Sequence, residues 1–442
     1  MVHSPTCGST DRPEVVDGVE RAGREEEDEG VRPGADRAED RTSPFPRALP
    51  LATAVFVAWL AVVGALTFVE ARLSGVGTGA GAELKVVSAS WDAKWLQAIA
   101  RSGYSWNPHL TTSQTPSFLP LYPLLERAAH AVTGLSWTVT GLVVSLVLQY
   151  AFLVVVAAIL VVLERPREGP PTRRRRRPRR PAHHVLVLAA AYPASLFALQ
   201  GYATSLVMVL EALAMLAVVR RRTTTAYLWA GIGCAADPIV LALPIGLALA
   251  QWAESRQWTF PVRPRQLGRE LLGVGGFLAT MVYFGLAFDA PLAKFQAGQA
   301  WFPKRTSGQV LANLVTFRAV WASFTTWARA VHHARNFSYT LDAVVLVLLI
   351  VLVAVVWVRS GTSWYVVVPA VGILPLLVQS AEYGFAYSVT RLSYPLWLAI
   401  GLHPRVRRSL ANRRWLFVLV LVLELAVTVI WAHYLVERRW LD

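Results

Sequence analysis

The stretch Ser90–Tyr104, SWDAKWLQAIARSGY, gathers the residue types that could do chemistry. A carboxylate flanked by tryptophans at a water–lipid boundary is partly desolvated, and such a group can serve as a general base. Asp92 is therefore the candidate catalytic acid. Asp is also a favoured N-cap residue, so Asp92 could equally cap a helix that begins at Ala93. The other candidate polar and aromatic residues of the stretch are Trp91, Lys94, Trp95, Arg101 and Tyr104.

Composition indicates which elements must position this stretch. Of 442 residues, 55% are hydrophobic and 16% charged, against about 25% charged in a soluble domain. Several apolar runs reach the ~20 residues that cross a bilayer as a helix. An all-α polytopic membrane protein follows, because backbone exposed to lipid must satisfy its own hydrogen bonds. Cys7 and Cys234 fall in a polar tail and an apolar run, which predicts no disulfide and no cysteine metal site.

The charge distribution predicts the topology. Residues 1–47 contain 12 Asp/Glu and 7 Arg, so most of the net charge of +15 comes from basic clusters between the apolar runs of residues 48–442. This is the positive-inside pattern and argues against nucleic-acid binding. The run Arg173–Arg180 is predicted to be a cytoplasmic loop. The acidic residues 1–47 are predicted to be a disordered cytoplasmic tail of a multi-pass cell-membrane protein, with residues 48–442 forming its membrane domain.

Two larger extracytoplasmic loops are predicted, at residues 70–116 and 289–339. The segment 117–135 is interrupted by Glu126, Arg127 and His130 and is therefore predicted to be a short interfacial or partly re-entrant helix. About nine spans plus a hairpin are expected, within a bundle of about 9–11 transmembrane helices. The predicted spans are Leu49–Val69, Gly141–Leu163, His183–Leu199, Tyr202–Val219, Leu271–Phe288, Asp342–Val358, Tyr365–Gln379, Leu392–Leu402 and Trp415–Tyr434.

The hairpin is predicted within the apolar run Ala226–Gln251, which contains Asp237-Pro238 in its middle and basic residues at both ends. Proline disfavours helical geometry at the residue before it. Broken helices at membrane depth are tolerated where they are buried in protein or line a cavity. Asp237 is expected near the tip, either as an additional acid or as a helix cap.

The stretch around Asp92 resembles the W-D-x-x-W/Y…I-A…G-Y signature of PIG-V-type mannosyltransferases, members of the GT-C glycosyltransferase superfamily. Four further blocks follow in the order of that family, so the resemblance extends across about residues 49–402. It implies a GT-C-like bundle. These blocks are Ser117–Leu125 (SFLPLYPLL), Tyr192–Leu206 (YPASLFALQGYATSL), Asp289–Phe302 (DAPLAKFQAGQAWF) and Ser388–Gly401 (SVTRLSYPLWLAIG).

The resemblance implies transfer of mannose from a polyprenyl-phosphate donor at the outer face, with inversion at the anomeric carbon. The expected acceptor is a glycolipid or a protein. The sequence itself shows no cluster of metal-ligand residues. Asp92 would be the base. Basic side chains would stabilise the leaving phosphate, although snorkelling to lipid headgroups is an equally natural role for two of them, Lys94 and Arg101. The expected substrate-binding residues are Trp91, Lys94, Arg101, Tyr104, Tyr202, Gln299, Trp301 and Arg391.

Two alternatives remain open. The family usually has Glu where this chain has Thr204, which would suit a non-catalytic member that acts as an assembly or binding subunit. A lipid or sugar transporter is the other alternative, with Glu211 and Asp237 as intramembrane carboxylates on a substrate or proton path. A transporter should tolerate loss of Asp92 better than loss of Glu211, whereas an enzyme should show the reverse.

Overall fold

The computed structural model describes residues 43–73, 92–110, 112–164, 183–255, 264–299, 305–325, 334–386 and 388–437. The described residues from Pro44 onward belong to one compact unit. Within these ranges the secondary structure is helical throughout, with no strand. Residues 1–42 of the predicted tail and the run Arg173–Arg180 lie outside the described residues.

The described residues form eighteen α-helices. In chain order they are α1 (Phe45–Leu73), α2 (Asp92–Ser102), α3 (Leu121–Thr133), α4 (Trp137–Glu164), α5 (His183–Ala191), α6 (Thr204–Val219), α7 (Thr223–Gly233), α8 (Ala242–Ser255), α9 (Pro264–Phe288), α10 (Ala293–Gly298), α11 (Ser307–Val315), α12 (Arg318–Thr325), α13 (Ala334–Ser360), α14 (Trp364–Tyr383), α15 (Val389–Leu392), α16 (Tyr394–Leu402), α17 (Pro404–Asn412) and α18 (Arg414–Glu437). Short 3₁₀ helices cover Thr115–Ser117, Pro193–Leu199 and Pro238–Leu241.

Six of these helices are long and apolar enough to cross a bilayer, which agrees with the prediction of a helical membrane protein. Two shorter apolar segments, Thr204–Val219 and Pro238–Glu254, accompany them in the described part of the chain. Fewer full-length spans are therefore present there than the nine predicted. The six are Phe45–Leu73, Trp137–Glu164, Gln266–Phe288, Ser338–Ser360, Trp364–Tyr383 and Arg414–His433.

The predicted spans at 183–199 and 392–402 are broken into shorter pieces. Helix α5 ends at Ala191 and a 3₁₀ helix follows from Pro193, whereas α16 comprises only nine residues. A nine-residue helix is about 14 Å long, roughly half the thickness of the hydrocarbon core. Hydropathy could not reveal these breaks, because apolar residues continue through them. Proline lacks the N–H that an uninterrupted helix requires, so Pro193 and Pro395 favour a new start.

Helix α1 shows how the bundle is packed. It begins at Phe45, so the helix takes in the last residues of the segment predicted to be disordered. Its buried face includes Ala48, Ala52, Trp59 and Val63, at spacings that place them on one side of a helix. This face packs mainly against α4 and α18. The buried Trp59 donates a hydrogen bond from Nε1 to Ser195 Oγ at 2.8 Å, which connects α1 to the 3₁₀ helix Pro193–Leu199.

The hairpin prediction is confirmed. Helix α7 ends at Gly233, the chain turns, and the 3₁₀ helix Pro238–Leu241 leads into α8. The side chain of Asp237 accepts a hydrogen bond from the Ile239 N–H at 3.0 Å, so Asp237 is the cap. The break is buried against α9, where a Cβ at Gly276 would lie only 2.1 Å from the Gly231 carbonyl oxygen.

The two predicted outer loops contain helices of their own. The first loop, 70–116, begins inside α1 and contains α2, and the second, 289–339, contains α10, α11, α12 and the start of α13. The segment 117–135, which was predicted to be a short helix, indeed contains one, the 13-residue α3. These short helices bring side chains from both loop regions to the ends of the long ones.

Candidate active site

Asp92 and Arg391 form the centre of the site. Arg391 Nη1 donates to Asp92 Oδ2 at 2.7 Å, although 299 residues separate the two. The side chains are 20% (Arg391) and 27% (Asp92) exposed, so the pair is partly buried but open to solvent or ligand. A short, charge-assisted hydrogen bond of this kind is stronger than a neutral one. Two residues that the family resemblance assigns to one reaction are thus in direct contact.

Tyr202 joins both members of the pair. Its hydroxyl accepts a hydrogen bond from the Asp92 N–H at 2.9 Å. The Arg391 guanidinium lies over the Tyr202 ring at 5.5 Å from its centroid and over the Phe197 ring at 5.7 Å. Cation–π contacts at these distances orient a guanidinium without consuming its N–H donors. Tyr202 is 2% exposed, so it forms the floor of the site.

The turn that carries Arg391 is fixed from two sides. Asp342 Oδ1 accepts hydrogen bonds from the Thr390 backbone N–H at 2.8 Å and from its hydroxyl at 2.7 Å. Tyr192 donates its hydroxyl to the Thr390 carbonyl at 2.9 Å. Asp342 and Thr390 are both buried. Arg391 is therefore held by a rigid network, although α15 itself comprises only four residues.

Helix α2 is anchored so that Asp92 faces Arg391. The helix begins at Asp92 and buries Ala93 and Leu96 on one face. At its other end, Arg127 Nε donates to the Ala100 carbonyl at 2.6 Å, which satisfies an acceptor that helix ends leave unpaired. Trp95 stacks on Phe118 with ring centroids 6.2 Å apart.

Lys294 is a functional candidate that sequence reasoning missed. It lies on α10 and donates a hydrogen bond to the Ser117 carbonyl oxygen. Burial lowers the pKa of this lysine; the negative charges of Asp237 and Asp92 act in the opposite direction, and the positive charge of Arg391 adds to the lowering. The charges of Asp237, Asp92 and Arg391 all act on Lys294, and these four residues are here called the charged cluster.

A sequence signal for Lys294 did exist. It is the single cation in the block DAPLAKFQAGQAWF, and its neighbours Ala293 and Ala297 are both buried. Ala293 and Ala297, at i and i+4, lie on one face of a helix, and small residues there favour close packing against protein. The prediction of an outer loop at residues 289–339 does not reveal this face.

The other predicted site residues lie in different surroundings. Lys94, Arg101 and Gln299 are exposed and are not brought into the charged cluster. Tyr104 donates its hydroxyl to the Phe118 carbonyl at 2.9 Å and packs edge-on against Phe284, so it supports the wall of the site. The substrate contacts expected of these four residues stay predictions. Trp91 and Trp301 lie outside the described residues.

A buried acid lies behind Tyr202. Glu126 is fully buried, and neither of its carboxylate oxygens has a hydrogen-bond partner among the described residues. Burial raises the pKa of Glu126 to about 8. A Cβ at Gly141 would lie 3.0 Å from Glu126 Oε1, and one at Gly201 would lie 3.2 Å from the Gly141 carbonyl carbon. Gly201 also has φ +66, so this crossing requires glycine at 201 and places the turn before Tyr202 against Glu126.

Within the described residues, no group of three or more His, Cys, Asp or Glu side chains is arranged to hold a metal ion. The arrangement that is present consists of a carboxylate (Asp92), a guanidinium (Arg391) and an amine (Lys294). Such a set can accept a proton and bind an anion such as a phosphate. Comparisons of the chain with protein-family models, curated proteins and solved structures give no match.

Proposed function

We propose that this protein is a membrane glycosyltransferase that moves a sugar, mannose, from a polyprenyl-phosphate donor to an extracytoplasmic glycolipid or protein acceptor with inversion. The observation that carries the proposal is the 2.7 Å contact between Asp92 and Arg391. It joins a candidate base to a candidate phosphate-binding cation. The order of the sequence blocks that resemble PIG-V-type mannosyltransferases supports it independently.

The reaction needs one base and one stabilised leaving group. Asp92 takes the proton of the acceptor hydroxyl while that oxygen forms a bond to the anomeric carbon from the face opposite the leaving group. The bond between the anomeric carbon and the phosphate oxygen breaks, and its electron pair stays on the polyprenyl phosphate. Arg391 and Lys294 stabilise the charge that develops on this phosphate.

The ion pair with Arg391 gives Asp92 two states. In one state the carboxylate is paired with the guanidinium, and in the other it can take a proton from the acceptor. Asp92 Oδ2 accepts the hydrogen bond of Arg391 Nη1, so this oxygen is engaged as long as the pair is intact. A donor phosphate presents oxygens of the same charge and suits the planar donor array of Arg391. When the phosphate occupies Arg391, Asp92 is released toward the acceptor. The base would then become active only when the donor is bound.

The test is transfer of radiolabelled mannose from polyprenyl-phosphate mannose to membrane acceptors. Membranes carrying the wild type, Asp92→Asn and Ala98→Gln are compared at matched expression. Asp92→Asn is expected to reduce transfer by about 10²–10⁴-fold, the usual contribution of a general base. Ala98→Gln changes an exposed residue on the same helix and is expected to retain transfer. Equal transfer by wild type and Asp92→Asn would refute the role of Asp92.

The transporter alternative has one observation in its favour. Glu211 is 3% exposed on α6, and its Oε2 has no hydrogen-bond partner among the described residues. Buried carboxylates at membrane depth often belong to transport paths. A transporter should give no mannose transfer even as the wild type, and in an assay of lipid transport across the membrane it should lose function with Glu211→Gln and tolerate Asp92→Asn.

A further inference from the structure

An arginine-rich surface lies at the end of the bundle where α13 ends and α18 begins. Arg405 Nη1 on α17 donates a hydrogen bond to Ser360 Oγ at 3.0 Å, which brings the end of α13 against α17 although 45 residues separate the two positions. Helix α17 also packs against α18. The exposed arginines of these segments are here called the arginine surface: Arg359, Arg405, Arg408, Arg413 and Arg414.

Helix α17 directs its arginines outward because its other face is buried. Leu410 and Ala411 are buried in the protein. Arg405, Arg408 and Asn412 are exposed, at spacings of three and four residues that place them on one side of a helix. The nine-residue helix is therefore held by an apolar face and presents a basic one.

No carboxylate opposes this charge in the helices around α17. It packs against α5, α16 and α18. Helices α5, α16 and α17 contain no Asp or Glu, and neither do residues 414–423 of α18 or residues 355–368 around the end of α13. Within the described part of the chain, none of the five arginines forms an ion pair. The surface therefore has a positive charge that the protein itself leaves unbalanced.

His403 lies within the electric field of these arginines. It is the N-cap of α17, and its Nδ1 accepts a hydrogen bond from the Arg405 N–H at 3.3 Å, which requires this nitrogen to be unprotonated. Burial lowers the pKa of His403, and the charges of Arg405, Arg408 and Arg407 lower it further. The Tyr365 ring lies edge-on at 5.7 Å from the imidazole. The positive field thus reaches a buried side chain of the fold.

Two exposed tryptophans mark the depth of the arginine surface in the bilayer. Trp357 is 41% exposed near the end of α13, and Trp415 is 62% exposed near the start of α18. Both helices are long and apolar enough to span a bilayer, and tryptophan is enriched where such helices leave the hydrocarbon core. Arg359 and Arg414 lie directly beyond these tryptophans, at the depth where basic clusters bind anionic lipids.

We propose that the arginine surface binds the headgroups of anionic phospholipids in the adjoining leaflet. Guanidinium groups match phosphate oxygens with a planar array of N–H donors, and no carboxylate of the surrounding helices has to be displaced. The surface is separate from the charged cluster, because the nine-residue α16, about 14 Å long, lies between Arg391 and His403. The inference does not depend on the proposed function.

The experiment measures binding of phosphatidylglycerol with a fluorescent acyl chain to the full-length protein in dodecyl maltoside. Phosphatidylcholine with the same label is the comparison, and the wild type should bind it at least tenfold more weakly. Arg408→Glu reverses one exposed charge and should weaken phosphatidylglycerol binding at least tenfold, because each cation near an anionic surface contributes about 1 kcal/mol, or fivefold. Equal affinity of the wild type for the two lipids would show that the arginines set only the topology and would overturn the inference.

The matched control is Arg318→Glu, which reverses an exposed charge at the opposite end of α13. Thr340 near the start of α13 donates to the carbonyl of Ser323, which lies on α12 together with Arg318. This variant should change phosphatidylglycerol binding less than twofold. An equal loss in both variants would mean that binding follows net charge and would refute a localised surface. Inorganic phosphate at equal concentration should not compete, and full competition would replace the lipid by a soluble anion.

The imidazole of His403 gives a second readout that needs no charge-reversed variant. Its pKa is measured by NMR of histidine-labelled protein in phosphatidylcholine nanodiscs with and without phosphatidylglycerol. His403→Asn identifies the signal and retains an acceptor for the cap. Anionic headgroups at the arginines offset their field, so phosphatidylglycerol should raise the pKa of His403. The same pKa in both kinds of nanodisc would contradict the inference.

Discussion

The carboxylate of Asp342 accepts both the backbone N–H and the hydroxyl of Thr390, the residue that precedes Arg391. The long helix α13 thereby fixes the turn from which the guanidinium reaches Asp92. A four-residue helix has little stability of its own. The precision of the Asp92–Arg391 contact therefore depends on this buried network.

Asp342→Ala should weaken donor binding through Arg391 without touching the donor. It leaves two buried donors of Thr390 unpaired, at a cost of about 1–3 kcal/mol. We expect the KM for the donor to rise at least tenfold, with partial rescue in Asp342→Asn, which retains one acceptor oxygen. Asn313→Ala is the control for stability alone, because it removes a buried hydrogen bond, to the Ala381 carbonyl, that involves neither Thr390 nor Arg391. A matching rise in KM in the control would show that Asp342 acts only on the fold.

The Asp92–Arg391 pair should matter much more for activity than for stability. Both side chains are partly exposed, and ion pairs near a surface contribute about 0–1 kcal/mol. Asp92→Asn and Arg391→Gln should therefore change the free energy of unfolding by about 1 kcal/mol or less, while each reduces mannose transfer at least a hundredfold. Denaturation in detergent measures the change in the free energy of unfolding, and the transfer assay measures the change in activity. A coupling energy above about 3 kcal/mol in the double-mutant cycle would mean that the pair is structural.

Lys294→Met should reduce donor affinity by removing one of the two cations near the phosphate. We expect a rise in donor KM of about tenfold, with restoration in Lys294→Arg, which keeps the positive charge. Because burial lowers the pKa of Lys294, wild-type donor affinity should fall as the pH rises, beginning below the usual lysine pKa. In Lys294→Arg this fall should be absent, since arginine stays charged. Arg318→Met, which removes an exposed cation outside the charged cluster, is the control, and a similar KM effect there would point to nonspecific surface charge.

Glu126 should make the stability of the protein depend on pH. Its pKa is raised by burial from 4.5 to about 8, so the folded state binds the proton more tightly than the unfolded state. The stability from protonated Glu126 is fully present below pH 4.5 and is lost as the pH rises from there to about 8. Glu126→Gln, which mimics the protonated form, should therefore flatten the fall of Tm across this window.

Thermal unfolding of both proteins between pH 5 and 9 measures the difference. Asp237→Asn serves as the control, since Asp237 is partly exposed and its side chain accepts only the local hydrogen bond of the cap. Parallel Tm curves for the wild type and Glu126→Gln would show that Glu126 does not titrate in this range.

The sequence alone determined the class of the protein and several local features. Hydropathy predicted a helical membrane protein, because apolar runs of sufficient length leave the backbone no other way to satisfy its hydrogen bonds. The Asp237-Pro238 pair predicted the broken hairpin, since proline restricts the residue before it. The C-terminal end of α9 at Phe288 and the short helix α3 were also predictable from local composition. Each of these depends on neighbours within one helix length.

The charged cluster was decided only by the tertiary structure. Asp92 and Arg391 could each be named from a motif, but their contact spans 299 residues, and no local rule relates such distant positions. Lys294 joins them because α10 packs on the segment Thr115–Ser117. Asp342 holds the turn of Arg391 because α13 contacts α15. Pairing between distant side chains depends on how all the helices share one buried volume, and a pattern read along the chain does not contain that information.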